Sequence, residues 1–183
     1  MEVKEIAEAI VREVASVLAS VDSGEVKAFV DGVLGARTVF VGGEGRSGLI
    51  ARTFAMRVMQ LGLESYVVGE TTTPAVQPGD LLVAVSGSGE TATTILFAQT
   101  AKAHGGRVAA VVASPDTRLG KLADLQLVIP GRAKTGAGME SSQMPGSLFE
   151  QAAFMMFDAV VTALVKNRGE SYKGMLQRHA NIE

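Results

Sequence analysis

Residues 81–91 read LLVAVSGSGET, and this stretch decides the fold class. The five apolar residues 81–85 have the length and composition of a buried strand, and Asp80 marks its start. Two Ser-Gly pairs end the strand, and the pattern that follows predicts a helix from about Thr91 to His104. The stretch therefore predicts a strand, a glycine turn and a helix, which is the unit that builds parallel sheets.

The same unit recurs on both sides of this stretch. Short apolar runs predict four more strands, at residues 38–41, 65–68, 108–113 and 125–129. A helix is predicted after the first of these, at about 47–61, and a short one at about 119–123. Strands that alternate with helices make a parallel sheet covered on both faces. We therefore predict a three-layer α/β/α, doubly wound, five-stranded parallel sheet of the flavodoxin-like type.

Ligands of doubly wound folds bind where the strands end at their carboxyl side. The predicted strands place five loops on that side, which begin at Gly42, Gly69, Ser86, Ser114 and Pro130. The irregular segment 131–146, which follows the last strand, holds four glycines. Irregular segments of this length are more often functional than idle.

Further helices flank the predicted sheet. Apolar residues at steps of three and four predict a helix from Glu2 to about Val21 and a second one to about Leu34, N-capped by Ser23. A long apolar helix is predicted at about 148–166, and a short one near the end of the chain. We interpret residues 1–183 as a single domain, with N-terminal helices in 1–35, an α/β core in 36–166 and a C-terminal helix and tail in 167–183.

Composition excludes several classes of protein. The chain has 183 residues, with 17 Lys and Arg against 19 Asp and Glu, and this mildly acidic balance without a basic run is atypical of nucleic-acid binding. Without Cys there is no disulfide framework or thiolate zinc site, which fits a reducing compartment. We expect no signal peptide and no apolar stretch long enough to span a membrane, and therefore a cytoplasmic protein.

The first glycine loop, residues 43–48, allows two interpretations. It reads GEGRSG and lies between a strand and a helix, as does the dinucleotide-binding motif G-x-G-x-x-G. Glu70 follows the second strand, where such folds place the acid that binds a ribose. The alternative is a tight turn whose glycines serve close packing. The sequence alone leaves both open.

The second glycine loop predicts a phosphate site. Ser86, Ser88 and Thr91 supply hydroxyl groups, while Gly87 and Gly89 let backbone N–H groups approach an anion at the start of a helix. The alternative is a helix cap, but one Ser would be enough for a cap. Because the ends of neighbouring strands converge, a sugar phosphate would use both loops, with Ser47 of the first loop also assigned to the phosphate.

The loop 86–91 resembles that of the sugar isomerase (SIS) domain proteins. Six further segments carry a closer resemblance, at residues 45–48, 54–57, 67–70, 79–82, 146–151 and 178–181. With these segments the chain resembles the 6-phospho-3-hexuloisomerases, which belong to the SIS-domain proteins. The resemblance implies interconversion of D-arabino-3-hexulose 6-phosphate and fructose 6-phosphate through an enediol, in the ribulose monophosphate pathway that fixes or releases formaldehyde. It also implies that no metal or other cofactor is needed and that the protein is a tetramer, a dimer of dimers.

An enediol reaction needs a base at carbon and an acid or a charge at oxygen. Glu150 lies in the first turn of the long helix, where the helix dipole alone would favour a Glu, but the resemblance implies that it is the base. His179 lies in the tail, where a solvated side chain is the ordinary expectation. The resemblance implies that it is the second acid or base, working in a neighbouring subunit's site. Arg46, with Gly45 beside it, is the candidate electrostatic partner of the phosphate or the enediolate.

Other functions stay open on the sequence alone. One is an SIS isomerase of another sugar phosphate, and another is a non-catalytic phosphosugar sensor, which would tolerate loss of Glu150 and His179. A third is a dinucleotide-dependent enzyme. His104 is interpreted as a helix C-cap residue, and no metal-ligand spacing or Ser-His-Asp arrangement is legible in the chain.

Overall fold

The computed structural model describes residues 2–134 and 139–182. Part of the irregular segment predicted at 131–146, namely residues 135–138, therefore lies outside the described residues, as do Met1 and Glu183. The strands are β1 Val39–Gly43, β2 Ser65–Val67, β3 Leu81–Val85, β4 Arg107–Val112 and β5 Leu125–Val128. The helices are α1 Val3–Ala19, α2 Ser23–Leu34, α3 Gly45–Gln60, α4 Ala92–Ala103, α5 Arg118–Leu122, α6 Ser147–Arg168 and α7 Tyr172–Gln177.

The five strands form one parallel sheet in the order β2-β1-β3-β4-β5. This is the predicted doubly wound arrangement, and the fold prediction is confirmed. The chain first moves outward from β1 to β2 and then returns to the other side of β1 for β3. The topological switch point, where such folds bind ligands, therefore lies between β1 and β3.

Alternate residues of each strand pack into two separate cores. On one face, Val41, Val83 and Val111 pack with helices α1, α2, α3 and α6. On the other face, Phe40, Ala84 and other alternate strand residues pack with α4 and α5. Because both faces are covered, the central strands are mostly apolar rather than alternating, which is why short apolar runs identified them.

The element boundaries differ from the predicted ones by a few residues. Strand β1 continues to Gly43 because Gly42 and Gly43 stay in the ladder, paired with Ala84 and Val85 of β3. Helix α3 then begins at Gly45, two residues before the predicted start. The prediction that Ser23 caps α2 is wrong: the N-cap is Asp22, whose side chain accepts a hydrogen bond from Glu25 N.

Helix α6 corrects the expectation that no apolar stretch could span a membrane. By length and composition α6 could cross one, since its most apolar 18-residue window has a mean hydropathy of 1.6. The only charges between Ser147 and Val165 are Glu150 and Asp158, so charge is sparser here than expected. In the fold, 56% of that window is buried, and α6 packs against α1, α2 and α3. Helix α6 is thus the central helix of one core.

Candidate functional site

A cleft of about 190 Å³ opens at the switch point of the sheet. Because β1 and β3 are neighbours in register, the loops that follow them leave the sheet side by side and form two walls of this cleft. The start of α6 and the end of the segment after β5 complete it. The lining residues are Glu44, Gly45, Ser47, Val85, Ser86, Gly87, Ser88, Thr91, Ala133, Lys134, Gly146, Phe149 and Glu150.

The hydroxyl groups of the second glycine loop form hydrogen bonds with other residues of that loop. Ser86 Oγ lies 3.0 Å from Thr91 Oγ1 and accepts a hydrogen bond from Gly89 N at 3.2 Å. Ser88 Oγ accepts one from Glu90 N at 3.3 Å. Thr91 is the N-cap residue of α4, yet its side chain makes no cap hydrogen bond. The first N–H groups of α4 therefore keep the capacity to bind an anion, and the simple cap interpretation of this loop is not what the geometry shows.

Close packing leaves no room for a side chain at several glycines of both loops. Gly89 has φ +64°, and a Cβ there would lie 2.2 Å from Thr117 Oγ1. A Cβ on Gly87 would lie 2.8 Å from the Phe149 ring. In the first loop, a Cβ on Gly48 would lie 2.4 Å from the carbonyl oxygen of Gly43. The G-x-G-x-x-G spacing is thus accounted for by a tight βα turn, one of the two interpretations left open by the sequence.

Glu150 is a buried carboxylate at the edge of the cleft. Its side chain is only 4% exposed, and it lies in the first turn of α6, near the positive end of the helix dipole. One oxygen, Oε2, accepts a hydrogen bond from Arg46 Nε. Within the described residues no donor binds the other oxygen, Oε1, which lies beside Gly146 of the cleft wall. The carboxylate is therefore held from one side, and its second oxygen remains able to accept a proton.

Arg46 lies behind this carboxylate. Gly45 and Ser47 line the cleft as predicted, whereas Arg46 lines an adjacent groove together with Ile50 and Phe154. Its side chain is 59% exposed. The structure thus gives Arg46 a partner in Glu150, while the predicted contact with a substrate anion stays a prediction.

His179 differs from the other candidate residues because it is exposed, on the tail after α7. Its Nδ1 lies 3.3 Å from the carbonyl oxygen of Ala180, and it is not among the residues that line the cleft of its own chain. The preceding Arg178 fixes the start of the tail by donating to the carbonyl oxygen of Gln60 and to Glu170. Its predicted role across a subunit boundary stays a prediction.

Sequence reasoning missed Lys134, which lines the cleft at the end of the described segment after β5. The signal was available, since the loop from Pro130 was expected on the ligand side and Lys134 is a basic residue in it. Anion sites commonly use such residues. Sequence reasoning passed over it because the segment has no periodic pattern to say which side chains point inward.

Glu13 of α1 was also missed, and it anchors the segment that leads into α6. Its carboxylate accepts hydrogen bonds from Ser141 Oγ at 2.6 Å, from Ser142 N and Oγ, and from Gln143 Nε2 at 2.9 Å. These bonds, above all those from Ser141 and Gln143, lower the pKa of Glu13 from 4.5 to about 2. The N-terminal helix α1 thus holds in place the segment that leads into α6 and the cleft wall.

The structure also places Glu70 and His104, the remaining residues that the sequence singled out. Glu70, the candidate ribose-binding acid, is half exposed and paired with Arg52, and it is not among the residues that line the cleft. His104 is the C-cap residue of α4, with its Nδ1 2.9 Å from the Thr100 carbonyl oxygen. Within residues 2–134 and 139–182, no cluster of three or more His, Asp or Glu side chains could hold a metal ion.

Comparison with known proteins shows the family to which this chain belongs. The profile of the SIS domain matches residues 33–155. The chain is 44% identical over 172 residues to the 3-hexulose-6-phosphate isomerase of Mycobacterium gastri, covering 93% of this chain and 86% of the relative. The chain belongs to the 3-hexulose-6-phosphate isomerase family of SIS-domain proteins.

Further members of this family match along their whole length. The 3-hexulose-6-phosphate isomerase of Bacillus subtilis is 38% identical over 185 residues, covering 100% of both chains. A protein of Methanococcus jannaschii, whose crystal structure infers a molecular function of 3-hexulose-6-phosphate isomerase, superposes with a TM-score of 0.85 at 30% identity, covering 98% of this chain and 99% of that one. The 3-hexulose-6-phosphate isomerase family therefore accounts for the whole fold, including the N-terminal and C-terminal helices.

Proposed function

We propose that this protein is a phosphosugar isomerase that interconverts D-arabino-3-hexulose 6-phosphate and fructose 6-phosphate, the isomerase step of the ribulose monophosphate pathway. The named relatives of M. gastri and B. subtilis support the reaction. The cleft supports it independently, because it places a hydroxyl-rich anion loop and a buried carboxylate within one small volume.

The substrate phosphate is assigned to the loop at the start of α4. Hydroxyl groups of Ser86, Ser88 and Thr91 and the backbone N–H group of Gly87 would hold it, with Ser47 of the first loop opposite them. The N–H group of Gly89, which the sequence had also assigned to the phosphate, donates to Ser86 instead, and Gly89 is not among the residues that line the cleft. Neutral donors at a helix N-terminus suit a dianion, since the helix dipole supplies part of the positive charge. Anchoring the phosphate positions the reacting carbons, which supplies part of the rate enhancement.

Glu150 is assigned the proton transfer at carbon. From the 3-hexulose, Oε1 takes the proton on C2, the electrons form the C2–C3 double bond, and the carbonyl oxygen on C3 becomes the enediolate oxygen. Transfer of a proton between the two oxygens and return of the Glu150 proton to C3 give fructose 6-phosphate. The bond to Arg46 supports this assignment, because it orients the carboxylate and leaves Oε1 for the substrate.

His179 is assigned the proton transfer between the two substrate oxygens, in the site of a neighbouring subunit of a cytoplasmic homotetramer. Support comes from the groove beside the cleft. Its lining includes Arg46, Glu150 and the half-exposed apolar side chains of Phe154 and Met155, together with Gln151. Exposed apolar side chains in a groove of this kind suit burial against a second copy of the chain.

One observation carries the proposal: Glu150, which is buried and within the described residues is bonded on one oxygen only, lines the same cleft as the hydroxyl loop. A coupled assay tests it. A separate synthase would generate the hexulose phosphate from formaldehyde and ribulose 5-phosphate, and glucose 6-phosphate isomerase and dehydrogenase would report fructose 6-phosphate. Turnover well above the synthase-only control is expected. No turnover, with sugar phosphates still raising the melting temperature, would move the function to another sugar phosphate or to a sensor.

A further inference from the structure

Lys134 lies close to the carboxylate of Glu150. Its Cε is 3.6 Å, and Glu150 Oε1 is 3.4 Å, from the position that a Cβ would occupy on Gly146. The lysine side chain runs along this glycine at the N-cap of α6, with its Cγ 3.2 Å from the same position. The end of the Lys134 side chain is therefore near the oxygen that would exchange a proton with the substrate.

The charge of the cleft needs a cation. Among the described residues that line it, the charged side chains are Glu44, Glu150 and Lys134. Arg46 lines the adjacent groove and is bonded to Glu150, so its charge is already partnered. A sugar phosphate would bring about two further negative charges, and the enediolate formed during isomerisation adds one more. Lys134 takes part in none of the ion pairs within the described residues, so its ammonium is available to that charge.

We propose that Lys134 stabilises the enediolate oxygen in the transition state, an inference that rests on the proposed isomerase function. When Glu150 removes the proton from carbon, the negative charge moves onto the former carbonyl oxygen, and the Lys134 ammonium donates a hydrogen bond to it. No bond to Lys134 forms or breaks, and the ammonium keeps its proton. A cation placed where charge develops interacts more strongly with the transition state than with the bound substrate, and this difference lowers the barrier.

The position of Lys134 separates this role from that of a phosphate anchor. Ser86, Ser88 and Thr91 hold the phosphate end of the cleft through neutral donors at the start of α4. Lys134 instead shares its Gly146 neighbour with Glu150, which acts on the reacting carbons. A residue at the reacting end should affect the turnover number far more than substrate binding.

The test measures two affinities by calorimetry, in the wild type and in Lys134→Met. Fructose 6-phosphate reports ground-state binding. Transition-state binding is reported by a glycolohydroxamate 6-phosphate analogue, in which the hydroxamate carbonyl stands at C2 and its N–OH group at C3, so that its planar group mimics the 2,3-enediolate. Lys121→Met is the matched control, because Lys121 is an exposed lysine on α5 that does not line the cleft. Lys134→Arg tests whether charge is restored. Melting temperatures check that each variant folds.

In Lys134→Met, the affinity for the hydroxamate should fall by about tenfold or more, with that for fructose 6-phosphate changed by less than about threefold. Turnover should fall about 100-fold with little change in KM, and Lys134→Arg should regain part of both losses. Equal losses for the two compounds would make Lys134 a phosphate or ground-state contact and overturn the inference, as would no loss for either. A wild type that binds neither compound and turns nothing over would instead overturn the proposed function.

Discussion

Arg46 Nε donates a hydrogen bond to Glu150 Oε2, which joins the first turn of α3 to the first turn of α6 behind the cleft. The residues are 104 positions apart, and their pairing orients a carboxylate that is otherwise buried. A buried carboxylate without a partner would be costly. The pair therefore lets Glu150 lie at the edge of the cleft with one oxygen that is not bonded within the described residues.

Replacing Glu150 by Gln should abolish most turnover while leaving sugar-phosphate binding. The amide keeps the size of the side chain but cannot take a proton from carbon, and general-base catalysis of this kind contributes about 10²–10⁴-fold. The coupled assay measures turnover, and thermal shift with fructose 6-phosphate measures binding. Asp158→Asn, an exposed change on the same helix, is the control. Near-normal turnover in Glu150→Gln would show that Glu150 is not the base.

Arg46 should act through Glu150, so their substitutions should not be additive. Arg46→Gln is expected to lower turnover by about tenfold or more because the carboxylate loses its orienting donor. In the double variant with Glu150→Gln, Arg46→Gln should cost little more. Arg52→Gln, which breaks the exposed pair with Glu70, serves as the control. Full additivity in the double-mutant cycle would mean that Arg46 contacts the substrate independently.

The hydroxyl loop should govern substrate affinity. Ser88→Ala and Thr91→Val each remove a donor assigned to the phosphate, at a cost of about 1 kcal/mol, or roughly fivefold in KM, with a smaller effect on turnover. Thr93→Val, an exposed change on the first turn of α4, is the comparison. Unchanged KM values for both loop variants would show that this loop does not bind the substrate phosphate.

The hydrogen bonds to Glu13 predict a pH-dependent stability. The pKa of Glu13 is depressed in the folded protein from 4.5 to about 2, so the folded state favours the ionised carboxylate. Its contribution is fully present above pH 4.5 and is lost as the pH falls toward 2. Glu13→Gln should therefore be less stable than the wild type at pH 6, with the difference disappearing near pH 2.

Urea unfolding of Glu13→Gln across this pH range measures the effect, and Glu8→Gln on the exposed side of the same helix is the control. A stability difference that stayed constant from pH 6 to pH 2 would show that these hydrogen bonds do not lower the pKa of Glu13. No stability difference at any pH would instead remove Glu13 as the anchor of the segment that leads into α6.

His179 should complement a Glu150 variant across subunits. Glu150→Gln and His179→Gln homomers should both be nearly inactive. Co-expressed, they should form mixed pairs in which one site combines Glu150 of one chain with His179 of the other. Random pairing restores about a quarter of the wild-type activity if the site is shared between two subunits. No recovery in verified mixed oligomers would place His179 in its own chain's site or outside any site.

The sequence predicted the sheet because its three central strands, β1, β3 and β4, are almost entirely buried. Strands such as β3 and β4 are continuous apolar runs between glycine or polar stops, and right-handed crossovers leave few ways to arrange them. Boundaries were less accurate where glycine stays in a strand, as at Gly42 and Gly43. These residues are extended because β3 pairs with them, and a pattern that treats glycine as a stop cannot anticipate that pairing.

The site was predictable to the extent that strand ends identify it. Ser47, Ser86 and Glu150 line one cleft because their loops meet at the switch point. The bond between Arg46 and Glu150, the position of Lys134 and the anchor at Glu13 are tertiary contacts between distant segments. Periodicity carries no information on such contacts, since it reports which face of an element is buried and not what meets it.

The most direct test of the central claim is to follow the proton that Glu150 moves. Fructose 6-phosphate incubated with the protein in D₂O, and observed by proton NMR, should lose its C3 proton signal as deuterium enters at C3. Glu150→Gln should stop this exchange. Deuterium at C1 would instead reveal an aldose–ketose isomerase, and no exchange at any carbon, with the substrate bound and no hexulose formed, would contradict an enediol reaction in this cleft.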